Sequence, residues 1–395
     1  LQAFIPRNLS EHIREIAGFF PVVSLTGPRQ AGKTTLLKEL FTHYRYVSFE
    51  DPAQRALFED DPYSFLARYD GEVIFDEAQR VPKLFSYLQT VVDNDRRPGR
   101  FIVSGSQNFL LSEKISQSLA GRVGIVRLFP LDFTELASID QLGRSPAAMI
   151  YRGYYPQLYQ TDLPPRFFYP NYLSTYLDRD VTHLVKKGSM QDFRRFVALC
   201  AAEVGQTISY SSLAKKLQLS VPTIKNWLHH LERSDLAFTL SPYFENFGKR
   251  LIKAPKLYFY DTGLVCYLLD IGSPEEVQRN RLYGALFENL VVAEMYKQRM
   301  HAGAYRPLYF FRDSHQNEVD LIERVGDQIV LTEIKSSATY QRKMAKTIEQ
   351  LAAISPGERV KKRLVYGGDT SMQVGDLEVV SWRDLSERPR SSPRE

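Results

Sequence analysis

The chain has 395 residues, of which 44% are hydrophobic, 12% aromatic and 25% charged, with a formal net charge of +5. That length exceeds one ordinary hydrophobic core and predicts two to four folded units, and the composition excludes a disordered or low-complexity chain. No run of eighteen apolar residues occurs, residues 1–10 lack the basic-then-apolar order of a signal peptide, and Cys200 and Cys266 stand apart without metal-ligand spacing. A cytoplasmic protein is expected, with no disulfide framework, structural zinc or membrane span.

Residues 19–26 are a short apolar run before a Gly-rich turn, the pattern of a buried parallel strand feeding a helix. Residues 46–49, 72–75, 101–104 and 124–128 read as further strands, with helical periodicity between them at 63–68 and 83–92. Alternation of this kind predicts an α/β parallel sheet. Beyond Phe133 the strands give way to aromatic-rich helical segments around 166–187, which predict a helical lid. Residues 211–217, a turn at 218–220 and a helix over 221–234 read as helix-turn-helix, and 237–243 and 256–260 as a two-stranded wing. From Gly284 a helix over 286–297 precedes strands at 308–312, 318–323, 329–334 and 363–366, a second α/β unit. The final ten residues are Pro, Ser and charge, the composition of a disordered tail.

Gly27, Pro28, Arg29, Gln30, Ala31, Gly32, Lys33 and Thr34 fit G-x-x-x-x-G-K-[ST] without a mismatch, between a predicted strand and a predicted helix. Glycines let backbone N–H groups close around phosphates, Lys33 balances their charge, and the Thr34 hydroxyl ligates Mg²⁺, with Thr35 completing the set. The next acidic strand end carries Asp76 and Glu77, placed to hold Mg²⁺ through water and to polarise the attacking water. This pairing predicts hydrolysis of ATP rather than binding alone, with ATP and Mg²⁺ as cofactors.

The strand at 101–104 runs into Gly105 and Ser106, and a helix then leads to Gly121 and Arg122, a spacing that resembles AAA+ ATPases. That resemblance makes Ser106 the candidate γ-phosphate sensor. It also makes Arg122 the candidate arginine finger, reaching a neighbouring subunit's nucleotide in a ring such as a hexamer. Further landmarks are Phe129-Pro130-Leu131, Arg152-Gly153-Tyr154-Tyr155-Pro156, Asp178-Arg179-Asp180, Pro255-Lys256-Leu257-Tyr258-Phe259, Asp261-Thr262-Gly263 and Glu318-Val319-Asp320. Together they resemble, over nearly the whole chain, a bacterial and archaeal AAA+ group with Gly-Pro-Arg-Gln in the P-loop and a C-terminal domain of unknown function. Arg152 stands where that pattern expects Gly, and Arg179 and Asp180 are candidates for a nucleotide contact or a subunit interface.

Asp320 followed by Glu333 and Lys335 resembles the PD-(D/E)xK nuclease core, in which two carboxylates bind Mg²⁺ and the lysine assists the attacking water. Glu333 and Lys335 share one strand face, and Glu288 on the preceding helix is the candidate fourth member. The expected organisation is an AAA+ P-loop domain over 1–135, a helical lid or linker over 136–190, a winged helix over 191–260, a restriction-endonuclease-like α/β domain over 261–385, and a tail over 386–395.

The positive charge is local. Residues 213–256 hold eight Lys or Arg against three Asp or Glu, an excess equal to that of the whole chain. Thr223, Lys225, Asn226, His229 and His230 on the second helix are candidates for DNA contact, with Lys249 and Arg250 on the wing touching phosphate. The sequence therefore predicts an oligomeric AAA+ ATPase that binds and remodels DNA, branched forms such as Holliday junctions above all. An ATP-gated, structure-selective endonuclease and a nucleotide-switched protein-binding scaffold are the alternatives.

Overall fold

The computed structural model describes residues 4–69, 71–105, 118–161, 163–177, 190–243, 254–305, 307–313, 317–353 and 359–387. Five strands, β1 (Val22–Thr26), β2 (Arg45–Ser48), β3 (Val73–Asp76), β4 (Phe101–Ser104) and β5 (Val123–Arg127), form one sheet in the order β2-β3-β4-β1-β5. Every neighbouring pair is parallel. Alternate residues of β1, β3 and β4 enter two separate apolar cores, Val22, Phe75 and Phe101 on one face and Val23, Ile74 and Ile102 on the other. Burial on both faces explains why these strands read as unbroken apolar runs. The order also sets the C-terminal ends of β3, β4 and β1 side by side, so the loops leaving them share one crevice.

The helical segment after this sheet includes Pro146–Arg152, Pro165–Tyr176 and Met190–Ala202. Next come helices Tyr210–Leu217 and Val221–Arg233, each started by a serine, Ser209 and Ser220, whose side chain accepts from the third backbone N–H beyond it. Gln218 ends the first of them with φ +57°, turning the chain so that Leu213, Leu217, Ile224, Trp227, Leu228 and Leu231 are all buried together. An antiparallel hairpin follows, β6 (Ala237–Pro242) with β7 (Lys256–Phe259). The predicted wing turn, with Lys249 and Arg250, lies outside the described residues, as do Ser106, Arg179 and Asp180.

The C-terminal strands are β8 (Tyr309–Arg312), β9 (Glu318–Val325), β10 (Gln328–Lys335), β11 (Arg359–Tyr366), β12 (Met372–Val374) and β13 (Leu377–Ser381). They join the hairpin in a mixed eight-stranded sheet ordered β12-β13-β11-β10-β9-β8-β6-β7. β6 pairs with β8 in parallel through Ser241–Tyr309 and Pro242–Phe310. A boundary at 260/261 therefore divides one sheet, because that pairing is non-local and leaves no trace in the chain around residue 260. The helix Tyr283–His301 is longer than the predicted 286–297 and is buried on most sides, running through a core shared by the segment 146–176, the helix pair and the hairpin. Cys200 and Cys266 are buried free thiols. Among the described residues no helix is long and apolar enough to cross a membrane.

Candidate functional site

The loop between β1 and helix Lys33–Leu40 turns on two glycines. Gly27 has φ +142°, and a Cβ there would lie 2.0 Å from the Leu128 carbonyl oxygen, while Gly32 has φ +93° where the helix begins. Lys33 is buried against the loop, its Nζ donating to the carbonyls of Gly27 and Pro28 at 2.8 Å each. Burial lowers its pKa to about 8, against the opposing pull of Glu77 and Asp76.

Asp76 at the end of β3 is the hub of the crevice. Its Oδ2 accepts from the Thr34 hydroxyl and the Tyr46 hydroxyl, both at 2.7 Å, and its Oδ1 accepts from the Ser104 hydroxyl at 2.5 Å. Three strands and the P-loop helix thus converge on one carboxylate. A hydroxyl beside a carboxylate is a donor set that suits Mg²⁺, which keeps several waters when bound. Glu77 follows in the left-handed region at φ +55°, and its Oε2 accepts from Gln79 Nε2 at 2.6 Å. Burial, then the charge of Asp76, raises its carboxyl above the usual range, which makes it a better proton acceptor.

Tyr46 and Gln79 carry no sequence signal of their role, and Ser104 closes the strand that leads to the sensor candidate Ser106. Ser104 had a signal, a serine closing an apolar strand beside an acidic one, but Tyr46 lies on an edge strand whose register with β3 no local pattern reveals. Arg122 stands apart from this cluster. Its guanidinium grips Asp93 through Nε and Nη2 at 2.6 and 2.9 Å and also donates to the Ala120 carbonyl.

A second polar system ties the P-loop to the rest of the chain. Arg7 donates to the Ala31 and Phe129 carbonyls at 2.7 and 2.6 Å and pairs with Glu135 at 3.0 Å. Asp132, in a capping box with Glu135, meets His301 Nδ1 at 2.7 Å, at the C-terminal end of the long helix. Asp261, from the Asp-Thr-Gly landmark, accepts from the backbone N–H groups of Tyr154 and Leu264 at 2.6 and 2.8 Å, joining two motifs far apart in sequence. Gly153 is glycine for this reason: a Cβ there would lie 1.8 Å from the Tyr169 hydroxyl and 2.8 Å from both Asp261 carboxylate oxygens.

The four nuclease-like residues lie in one cluster, with company the sequence reading did not foresee. Asp320 Oδ2 accepts from the Ile334 N–H at 2.8 Å, and Glu333 Oε1 is held by Lys335 at 2.5 Å. Glu288 Oε1 accepts from Tyr258 at 2.6 Å and from Lys256 at 2.7 Å, and Lys256 also pairs with Glu318 and lies 3.7 Å from Asp320. Burial and the neighbouring Asp320 raise Glu288 to about 7 and Glu333 to about 8. Oxygens of Glu288, Glu318 and Asp320 gather within 4.8 Å of one another, close enough to share a cation, but a lysine ammonium is already among them. The set as it stands does not fit a divalent metal.

On helix Val221–Arg233, Lys225, Asn226, His229 and Arg233 are exposed, Thr223 and His230 partly so, and the one carboxylate on this helix, Glu232, is partly buried and bonded to Thr239.

An uncharacterized protein of Mycobacterium tuberculosis is 32% identical over 372 residues, covering 89% of this chain and 80% of the relative. The chain belongs to the family of this mycobacterial protein. An uncharacterized Mycobacterium bovis protein matches to the same extent, and one from Haemophilus influenzae is 24% identical, covering 80% of this chain and 82% of its own length. Residues 20–137 match the family described as an AAA domain, 144–275 a domain of unknown function (DUF8612) and 283–385 a second (DUF4143). Among solved structures, the Walker-type ATPase of Pyrococcus abyssi has a TM-score of 0.44 at 15% identity, covering 67% of this chain and 96% of that one. RuvB of Thermotoga maritima has a TM-score of 0.30 at 17% identity, covering 58% and 88%. The family member described here carries an AAA domain around its P-loop and a C-terminal DUF4143 region.

Proposed function

We propose that this protein hydrolyses ATP in the crevice around Asp76 and uses the cycle to remodel DNA held by its helix-turn-helix and wing. Thr34 and Asp76 would hold Mg²⁺, which when bound neutralises phosphate charge. Lys33 would leave the Gly27 and Pro28 carbonyls for the β- and γ-phosphates, since an anionic partner is a better acceptor for an ammonium than a neutral carbonyl. Glu77 would take the proton of the attacking water, positioned by Gln79. Arg122 would act in a neighbouring subunit's site after letting go of Asp93, which would make hydrolysis depend on assembly.

The observation that carries the DNA reading is the exposed face of Val221–Arg233, where Lys225, Asn226, His229 and Arg233 are presented without an exposed carboxylate. Residues of these types contact phosphates and base edges from a second helix of this kind. Several such helices on one ring could grip the arms of a branched DNA, so a four-way junction is the substrate to try first. ATP hydrolysis should be measured with no DNA, single strand, linear duplex and a four-way junction at two salt concentrations. Junction-stimulated hydrolysis whose binding weakens steeply with salt, with a slope made shallower by about one per lost phosphate contact in Lys225→Ala, is the expected result. Indifference to every DNA at both salts would sink the reading in favour of a nucleotide-switched protein scaffold.

A further inference from the structure

The acidic cluster of the C-terminal sheet has the residue types of a metal-dependent nuclease, but it is built around a lysine. Lys256 opens β7, is 1% exposed, and sends its Nζ between the carboxylates of Glu288 and Glu318, with Asp320 at 3.7 Å and the Phe310 ring at 5.6 Å. The carboxylates and the lysine come from different parts of the chain. Lys256 belongs to the region matched at 144–275, while Glu288, Glu318 and Asp320 belong to that matched at 283–385. Most of the other charges there are also answered within the protein: Glu318 by Arg312 at 3.3 Å, Glu333 Oε1 by Lys335, and the second Asp320 oxygen by the Ile334 N–H, while Glu333 Oε2 is buried without a hydrogen-bond partner.

A divalent ion entering this group would have to share its ligands with a buried ammonium or expel it. Like charges repel strongly at such separations away from water, and an expelled Lys256 would have its nearest anions taken from it. We propose that Lys256 is the resident cation of this cluster, and that the nuclease-like carboxylates form a lysine-centred lock between the hairpin and the C-terminal sheet instead of a divalent-metal site. The cluster then does not cut DNA, whatever the AAA domain does with ATP.

The test is Mn²⁺ binding to the full-length, nucleotide-free protein, read from the loss of the free-ion electron paramagnetic resonance signal. Wild type and Asp320→Asn should bind Mn²⁺ alike. Lys256→Met should gain one ion at least tenfold tighter, and Lys256→Met with Asp320→Asn should lose it again. Lys256→Arg, which keeps the cation, should match wild type, so the comparison stands even if Lys256→Met does not fold. Supercoiled DNA incubated with wild type and Mg²⁺ or Mn²⁺ should stay unnicked. Mn²⁺ binding or nicking by wild type that Asp320→Asn removes would overturn the proposal, as would a Lys256→Met protein that folds and gains no ion.

Discussion

Three hydroxyls from separate parts of the chain meet on Asp76, and Glu77 beside it has a left-handed backbone conformation. The Glu77 carboxylate accepts from Gln79, while Lys33 bonds the loop carbonyls and Thr34 bonds Asp76, so loss of Glu77 should spare binding and remove proton transfer. In Glu77→Gln the ATP affinity should stay within a few-fold of wild type while kcat falls by about 10²–10⁴-fold, measured by fluorescent-nucleotide titration and phosphate release. Retained turnover would remove Glu77 from the role of base. Lys33, Thr34, Asp76 and Glu77 were legible in the sequence because the loop pattern is local and its chemistry narrow. Tyr46 and Gln79 were not, since what makes them matter is a strand register and a side-chain reach that no spacing rule encodes. Lys256 stands in the sequence only as part of a landmark, because a lysine opening an apolar strand looks like any solvated edge residue until its partners are known.

The helix Tyr283–His301 carries more of the architecture than its sequence announced. Its hydrophobic residues lack a clear single face because it is surrounded, so periodicity located it but understated its length. It also carries Glu294, buried at 1% exposure, which accepts from the Phe133 N–H at 2.7 Å and from Gln298. Burial raises this carboxyl to about 7, partly offset by Lys297. Between pH 4.5 and 7 the folded protein therefore holds a proton that the unfolded chain has released, so this group's contribution to stability falls as pH rises, by at most about 3 kcal/mol across the window. Glu294→Gln, which mimics the protonated form, should lose less melting temperature than wild type between pH 4.5 and 7. Parallel melting curves for the two proteins would show that Glu294 does not titrate in that range. The strand and helix elements themselves were largely legible, as in β1, β3, β4 and the helix pair, where each segment's burial is written in its own residues. The joining of β6 to β8 was not, because the two pair across a long stretch of chain.

At the scale of the molecule, two sheets are connected by a few buried polar contacts rather than by a flexible tether. Arg7 and the Asp132–His301 contact are one connection, and the pair of Arg127 on β5 with the buried Asp235, at the turn into the hairpin, is another at 3.1 Å. Arg127→Ala should destabilise the protein by about 2 kcal/mol, below the 3–5 kcal/mol of fully buried pairs because Arg127 is 30% exposed. Arg127→Ala combined with Asp235→Asn should recover part of that loss in urea denaturation, whereas simple additivity would mean that the two residues do not communicate. The shared sheet has a further consequence, for inheritance. The two regions of unknown function meet inside one hydrogen-bonded sheet, and one supplies the cation to the other's acids. A gene that kept the later region and lost the earlier one would leave a strand edge open and a knot of carboxylates without its lysine. Recombination between relatives should therefore be tolerated less readily between these two regions than elsewhere, and descendants that separate them should replace Lys256 or shed the acids around it.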